Sequence, residues 1–176
     1  MIRPVIDPLA PAVVAGLLRS AVTTLRAELT ALPEPVLTYH PAPGEWCAQE
    51  VVGHLIEAER HGFAGRIRII LAEETPRLQA WDQDEVARAR HDCARDVKTL
   101  LDELAELRDD SVALVTGLRR DDLRRAGEHP KVGRLCVADL LQEWVHHDRN
   151  HLRQILANVQ AWAWPHMGNA QRFSAD

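Results

Sequence analysis

The stretch EWVHHDRNHLRQI, residues 143–155, combines a histidine pair at helical spacing with apolar residues that recur every three or four positions. His147 and His151 are four residues apart, so on a helix their side chains lie on one face, about 5–6 Å apart. Two imidazoles at that separation can share one metal ion, but two histidines rarely hold a metal alone. The candidate third ligand is His54, far upstream in the chain.

The apolar residues of this stretch belong to a longer helical pattern, which three earlier segments share. A spacing of about 3.6 residues predicts amphipathic helices over residues 11–32, 48–71, 84–116 and 137–162. Residues 119–136 show no strand pattern and are predicted to form a loop. Four such helices predict an all-α protein built as a four-helix bundle. Because that loop is longer than the about 2–8 residues usual between bundle neighbours, at least one connection is predicted to cross the bundle.

The length of the chain suits a single domain, residues 1–176, with residues 1–10 as an extended lead-in and residues 166–176 as a frayed tail. The formal net charge of −5 argues against a nucleic-acid partner. No apolar run approaches the roughly 18 residues that a membrane span needs, and the N-terminus lacks the apolar core of a signal peptide. We therefore expect no membrane partner and a cytoplasmic location.

Three cysteines, Cys47, Cys93 and Cys136, are scattered along the chain. Scattered cysteines without a neighbouring histidine favour reduced thiols in the cytosol over a disulfide framework. We therefore expect each cysteine to be a small buried hydrophobic residue rather than a nucleophile.

A helical wheel separates the histidines of the two site helices. His147 and His151 lie beside the apolar arc of the last helix, whereas His146 falls on its polar face. His54 lies at the edge of the apolar arc of the second helix, and His61 shares that flank as a reserve ligand. Small residues that leave space for a bound ion occupy the same side: Ala58, Gly62 and Gly65.

Three neutral imidazoles with an open fourth position match a catalytic zinc site, and nickel, cobalt or iron also fit. The alternative is that these histidines are hydrogen-bonded packing residues. A zinc-protease motif, H-E-x-x-H, places a glutamate directly after its first histidine. Asp148 stands at that position here, so the sequence disfavours the protease interpretation.

Three charged residues fall within the apolar arcs of three different helices: Glu59, Arg108 and Asp148. A charge that faces a core is costly unless it is paired or neutralised. We therefore predict that the three meet, with Arg108 bridging one or both acids. Two alternatives remain: Asp148 accepts an N–H from a ligating histidine, or the charged groups reach the edge of the core and solvent.

Three segments together resemble the DinB/YfiT-like family: GEWCAQEVVGHLIEAER at residues 44–60, GRLCVADLL at residues 133–141 and HDRNHLRQI at residues 147–155. Each motif is short, but their order and spacing cover nearly the whole chain. One departure is Cys136, where that family often has threonine as a helix N-cap. Cysteine is a poor N-cap residue, so this departure affects only the start of the last helix.

The resemblance implies a four-helix bundle with up-down-down-up connectivity. It also implies a divalent metal ion, zinc or nickel, held by His54, His147 and His151, and a homodimer. Relatives of this kind include thiol S-transferases that use low-molecular-weight thiols, and hydrolase-like proteins.

The leading functional prediction is a metal-dependent enzyme that activates a thiol or a water and acts on a small molecule. Glu57 and Glu143, each one turn from a predicted ligand, are the candidate general bases. The alternative is a non-catalytic, metal-binding, stress-associated dimer. In that case a fourth protein ligand, His61 or His91, would close the site.

Overall fold

A computed structural model describes residues 7–174, and most of them are helical. Within this range the α-helices are α1 Pro11–Thr30, α2 Glu34–Leu37, α3 Ala48–Glu57, α4 Ala64–Ala72, α5 Gln83–Arg90, α6 Val97–Thr116 and α7 Val137–Ala163. Two strands, β1 Ala126–His129 and β2 Gly133–Cys136, pair as an antiparallel hairpin. The 3-10 turns are Asp92–Ala94, Asp122–Arg124, Trp164–His166 and Gly168–Phe173. No helix of residues 7–174 is long and apolar enough to cross a membrane.

Four helical columns form the bundle: α1, the pair α3 and α4, α6, and α7. Both α1 and α3 contact α6 and α7, so α1 and α3 lie diagonally opposite each other. The connections from α1 to α3 and from α6 to α7 therefore cross the bundle diagonally. This arrangement confirms the prediction that not every connection is a tight hairpin.

Side-chain pairs fix the direction of each column. Arg26, late in α1, forms a 2.8 Å salt bridge with Asp102, early in α6, so these two helices run antiparallel. The hydrogen bonds from Gln142 to the Leu9 carbonyl and from Arg149 to the Leu17 carbonyl show that α1 and α7 run parallel.

The second column runs antiparallel to α7 and parallel to α6. The Trp46 carbonyl, just before α3, accepts a hydrogen bond from Asn158 near the end of α7. Gln49 donates to the Arg95 carbonyl, and Arg60, further along, pairs with Glu103 of α6. The predicted four-helix bundle with up-down-down-up connectivity is therefore confirmed.

The predicted helix over residues 84–116 is wrong as a single element. It ends at Arg90 because His91 adopts a left-handed backbone with φ of 52°. After a 3-10 turn, α6 starts at Val97, where the Asp96 carboxylate accepts the Thr99 N–H at 2.8 Å. No side chain of α5 is buried, so this segment carries no apolar stripe that could have revealed the break.

The second predicted helix, residues 48–71, is interrupted by a wider π turn over Ala58–Gly62. There the Phe63 N–H donates to the carbonyl five residues earlier, that of Ala58, at 2.8 Å. A Cβ on Gly65 would collide with the Arg60 carbonyl, so this position accepts only glycine without a backbone shift. Phe63, whose ring packs against His147, follows the interruption directly.

The prediction that residues 119–136 form a loop without strands is wrong. In the hairpin, Ala126 pairs with Cys136 and His129 with Gly133. The strands have only four residues each, too few for an alternating pattern to be visible in the sequence. Backbone bonds between Glu128 and the chain at Pro76 and Leu78 attach the hairpin to the segment before α5.

One buried ionic network joins three of the four columns. Arg108 of α6 donates to Asp148 of α7 at 2.5 Å and forms a 2.7 Å salt bridge with Glu59 of the π turn. Glu59 also accepts hydrogen bonds from Ser111 and from the Trp144 indole, at 2.5 Å and 3.0 Å. The prediction that the three charged residues meet is therefore confirmed.

The two acids of this network share one cation, and their protonation differs. The pKa of Asp148 is lowered: burial opposes its ionisation, but the charge of Arg108 prevails. Burial raises the pKa of Glu59 to about 7, although Arg108 and Ser111 oppose that shift. Arg108 and Asp148 are thus the constant ion pair, and Glu59 exchanges a proton near neutral pH.

Replacing Arg108 should destabilise the fold strongly, because two buried carboxylates would lose their cation. We expect Arg108→Ala to lower the free energy of unfolding by about 3–5 kcal/mol in urea denaturation. Arg68→Ala, at an exposed position of α4, is the matched control and should change it by less than about 0.5 kcal/mol. An unchanged melting temperature for Arg108→Ala would show that the network contributes nothing.

Titration of Glu59 should appear in the pH dependence of stability. Because its folded pKa lies above the unfolded value of 4.5, its contribution is complete below pH 4.5 and is lost as pH rises through about 7. The free energy of unfolding of wild type relative to Glu59→Gln should therefore fall by up to about 3 kcal/mol between pH 5 and pH 8. Both proteins contain the same histidines, so the contribution of histidine titration to stability cancels in this difference. A difference that stays constant over this range would contradict the assignment.

Candidate metal centre

The helix that carries the histidine pair starts directly after the hairpin. Cys136 ends β2 and occupies the N-cap of α7, and its backbone N–H donates to the Asp139 carboxylate at 3.0 Å. Asp139 in the third helical position thus compensates for the poor capping residue at the start of α7. From there α7 continues to Ala163, so His147 and His151 lie in its middle, away from both ends.

The structure brings together His54, His147 and His151. One ring nitrogen from each lies within 4.8 Å of the others, and the two closest, Nε2 of His54 and Nε2 of His147, are 2.9 Å apart. His54 is buried, and the other two are partly buried. Two imidazole nitrogens that share a tetrahedral zinc ion stand about 3.3 Å apart, so the spacing of this pair fits a common ion.

Hydrogen bonds around the rings leave nitrogens available for an ion. Nδ1 of His151 lies 2.9 Å from the Gln154 side-chain oxygen, so Nδ1 carries the proton and Nε2 presents a lone pair. Nδ1 of His54 and Nδ1 of His147 are buried without a hydrogen-bond partner among residues 7–174. No hydrogen bond from the described residues therefore holds the Nδ1 side of these two rings, and their Nε2 atoms face each other.

Two of the three histidines, His54 and His151, are electrically neutral at neutral pH. Burial, followed by the charges of His151 and His147, lowers the pKa of His54 to about 3. Burial and then the charge of His147 lower the pKa of His151 to about 4. Because only a neutral imidazole can bind a metal ion, both residues are ready to act as ligands without first losing a proton.

Asp148 does not orient a ligand. Its carboxylate oxygen lies 4.0 Å from Nδ1 of His147, beyond hydrogen-bond distance, while its other oxygen pairs with Arg108 at 2.5 Å. Of the two predicted roles for Asp148, the structure supports the ionic network. That network lies directly beneath the histidines and fixes the rotation of α7 relative to α6.

Aromatic rings surround the histidine group. The Trp46 ring lies 4.9 Å from that of His54, between ring centroids, and the Trp81 ring stacks on His54 at 5.7 Å. Phe63 meets His147 edge-on at 5.0 Å. These rings shield the group from water and thereby strengthen electrostatic interactions inside it. No sequence pattern pointed to Trp81, because it lies in a linker whose path only the folded chain defines.

A cleft of about 1240 Å³ opens beside His54 and His147. Its wall combines charged, polar and aromatic side chains from α4, the segment before α5, the hairpin and α7. Residues with chemically active or charged groups on this wall include Arg66, Asp82, His129, Lys131, Glu143 and His146. The histidine group is thus accessible to a small molecule from one side.

The two predicted bases occupy different environments. Glu57 pairs with Arg90 at 2.5 Å and with Arg60 at 2.9 Å, and it does not line the cleft. Glu143 is exposed, lines the cleft one turn before His147 and forms no salt bridge within residues 7–174.

The remaining histidines lie outside the three-histidine group. His61 points to solvent with 63% of its side chain exposed and contacts Glu57 at 3.4 Å. His91 is exposed at the end of α5. His146 is exposed, as the helical wheel predicted, and lies at the edge of the cleft. Neither His61 nor His91 provides a fourth ligand in this arrangement.

Comparison with known proteins gives consistent matches. A protein of Bacillus licheniformis, named as a candidate metal-dependent hydrolase, is 27% identical over 150 residues, 85% of each chain. YfiT of Bacillus subtilis, named in the same way, is 25% identical over 122 residues, 69% of this chain and 68% of that one. The solved structure of YfiT superposes with a TM-score of 0.82 at 21% identity, covering 93% of this chain and 94% of that one.

That structure is described as a four-helix bundle of unusual topology, and the similarity establishes the same fold here. The family model of the DinB superfamily matches residues 17–155, which include all three histidines and both predicted bases. The chain belongs to the DinB superfamily.

Proposed function

We propose that this chain is a divalent-metal-dependent hydrolase that acts on a small anionic molecule. The observation that carries the proposal is the three-histidine group beside an open cleft, with no fourth ligand residue in the group among residues 7–174. Structural metal sites are usually closed by four protein ligands, whereas catalytic sites keep one position for water or substrate. The names of the curated relatives support the same class of reaction.

His54, His147 and His151 would hold the ion through their ring nitrogens. When bound, a divalent ion supplies Lewis acidity, which lowers the pKa of a water molecule or a thiol beside it. Gln154 keeps the proton of His151 on Nδ1 and so orients that ring toward the group. Trp46 and Trp81 limit access of bulk water on the side of His54.

Glu143 is the residue that we assign as general base. Its carboxylate lies in the cleft wall one turn from His147 and is free of salt bridges in the part of the chain that the structure describes. A carboxylate in this position can accept a proton from a nucleophilic water. Glu57 is unsuitable because two arginines already neutralise it.

Two cationic side chains, Arg66 and Lys131, line the cleft and support a substrate that carries an anionic group, although four carboxylates share the lining. Arg66 donates from Nη2 to the Gln79 carbonyl at 3.2 Å, and the same nitrogen lies 3.2 Å from Nε2 of His129. A carboxylate or phosphate group of the substrate would pair with the guanidinium of Arg66 and the ammonium of Lys131.

A thiol S-transferase is the second candidate, because the same open position can accept a small thiol. The cleft is larger than the roughly 300–1,000 Å³ of a typical single-ligand pocket, so it has room for a low-molecular-weight thiol together with an electrophile. Such thiols usually carry carboxylates, which Arg66 and Lys131 would bind. A non-catalytic metal-binding dimer is the third candidate. Assays of hydrolysis and of thiol conjugation distinguish the three.

Metal binding tests the ligand assignment. We expect His54→Ala, His147→Ala and His151→Ala each to bind one equivalent of zinc or nickel less than the wild type, in equilibrium dialysis followed by elemental analysis. His146→Ala is the control, because it removes an exposed histidine next to His147. This variant should bind as much metal as the wild type. Wild-type metal content in all three ligand variants would refute the three-histidine site.

Turnover tests the role of Glu143. We expect Glu143→Gln to lower kcat by about 10²–10⁴-fold while the bound metal is unchanged. Glu106→Gln, at an exposed position of α6, is the control for loss of a surface carboxylate. The assays would use chromogenic carboxylic and phosphoric esters, and conjugation of small thiols to an electrophile.

Hydrolysis by the metal-loaded wild type would support the proposal. Conjugation of a thiol without hydrolysis would replace the hydrolase with the S-transferase. A metal-loaded protein that is inactive in both assays would instead favour the non-catalytic dimer. A Glu143→Gln variant with wild-type kcat would exclude Glu143 as the base, whichever reaction occurs.

A further inference from the structure

A second group of metal-binding side chains lies at the start of α3. His40, Cys47, Glu50 and Cys93 each direct one potential ligand atom into the same space, and these atoms all lie within 4.8 Å of one another. Sγ of Cys47 is 3.0 Å from Sγ of Cys93, and that second sulfur is 3.6 Å from Nε2 of His40. No residue of this group belongs to the three-histidine site.

The group joins three segments that are distant in sequence. His40 lies in the connector after α2, Cys47 is the buried N-cap of α3, and Cys93 lies in the 3-10 turn after α5. The prediction of a small buried residue is confirmed for Cys47, whereas Cys93 is only partly buried and lies against both Cys47 and His40. The turn that follows the break at His91 brings Cys93 to the start of α3, and no sequence pattern revealed that break.

His40 is oriented as a ligand. Its Nδ1 lies 2.8 Å from the Glu45 carbonyl, which can only accept, so Nδ1 carries the proton. The lone pair is then on Nε2, the nitrogen that faces Cys93. Metal-bound histidines characteristically donate the N–H of their second nitrogen to a backbone carbonyl or a carboxylate, and this bond fixes the ring.

We propose that Cys47, Cys93 and His40, with the Glu50 carboxylate as fourth ligand, form a structural binding site for a thiophilic divalent cation such as zinc. Two thiolates and an imidazole are ligands of structural zinc sites, and a fourth protein ligand would close the coordination sphere. The site is therefore distinct in chemistry from the open three-histidine group, which contains no sulfur.

The separation of Cys93 from His40 fits a shared ion. With zinc–sulfur bonds of about 2.3 Å and zinc–nitrogen bonds of about 2.0–2.1 Å, a tetrahedral site places sulfur and nitrogen about 3.5 Å apart and two sulfurs about 3.8 Å apart. The observed separation of Cys93 from His40 matches the first value, and the sulfurs need to move apart by less than about 1 Å for the second. A disulfide would leave the oriented imidazole of His40 without a function.

Binding requires each thiol to lose its proton, so two protons are released to solvent as two metal–sulfur bonds form, with no change in oxidation state. Burial, followed by a hydrogen bond to Cys93, raises the pKa of the Cys47 thiol, so without an ion this thiol stays protonated. A cation that displaces the proton also removes the cost of burying a thiolate.

The site would stabilise one wall of the three-histidine group. Trp46 immediately precedes Cys47, and its ring packs on His54 at 4.9 Å and on His151 at 6.4 Å. A cation that ties the connector to α3 and to the turn at Cys93 holds the backbone on both sides of that ring. Loss of the cation would therefore loosen Trp46 without removing a ligand of the first site.

Cobalt titration of the reduced, metal-free, full-length protein tests the proposal, because cobalt bound to thiolates gives an intense near-ultraviolet charge-transfer band. We expect this band in the wild type, saturating at no more than two equivalents because the three-histidine site also takes up cobalt, and abolished by zinc. Cys47→Ser and Cys93→Ser should lack the band, and His40→Ala should weaken cobalt binding by at least about 10-fold. Cys136→Ser is the matched control and should retain the band with wild-type affinity.

One further variant, and the exposure of two of the ligands, keep the result unambiguous. His151→Ala should retain the band, because the three-histidine site contributes no sulfur, so failure of the hydrolase proposal would leave this result unchanged. His40 is exposed and Cys93 is only partly buried, so their variants test the site even if Cys47→Ser, at a fully buried position, does not fold. Circular dichroism verifies folding.

Absence of the band in the reduced wild type would overturn the proposal, as would a band that persists in Cys93→Ser. The same conclusion would follow if mass spectrometry found a disulfide between Cys47 and Cys93 that re-forms in air despite a saturating concentration of zinc.

Discussion

The buried contact between Arg108 and its two acids is the interaction on which the arrangement of this bundle depends. Removing a guanidinium from water is costly, so the fold must place Asp148 and Glu59 within reach of it. Since these residues belong to α7 and to the π turn after α3, satisfying one cation sets the rotation of both elements. His147 is the neighbour of Asp148, and the rotation that satisfies the ion pair therefore also directs His147 toward His54.

The two groups of potential metal ligands differ in chemistry. Midway along α7, neutral imidazoles enclosed by aromatic rings open onto a charged cleft, an arrangement suited to a reaction. At the start of α3, thiols and an oriented imidazole converge with a carboxylate, a ligand set suited to a structural ion. Trp46 connects the two, since it adjoins Cys47 in sequence and packs against His54.

Local periodicity was enough to predict much of this protein. The i, i+4 spacing of His147 and His151 specifies one helix face whatever the rest of the fold does. Apolar periodicity predicted the bundle, and the cost of burying charge predicted that Glu59, Arg108 and Asp148 would meet. The helical wheel placed His54 beside small residues as the third ligand, and the motifs shared with DinB-like proteins supported that choice and supplied the connectivity of the helices, which periodicity alone could not determine.

Features that depend on contacts between distant segments were accessible only in the tertiary structure. The break at His91 lies in a segment without buried apolar residues, so no pattern marks it, yet it brings Cys93 to Cys47. Trp81 belongs to a linker and reaches His54 only because the hairpin is bonded to that segment. Glu57 and Glu143 looked equivalent as bases, and Arg90, which neutralises Glu57 together with the nearby Arg60, comes from a distant segment of the chain. Periodicity reports which face of a helix is buried, whereas these features depend on which segment covers that face.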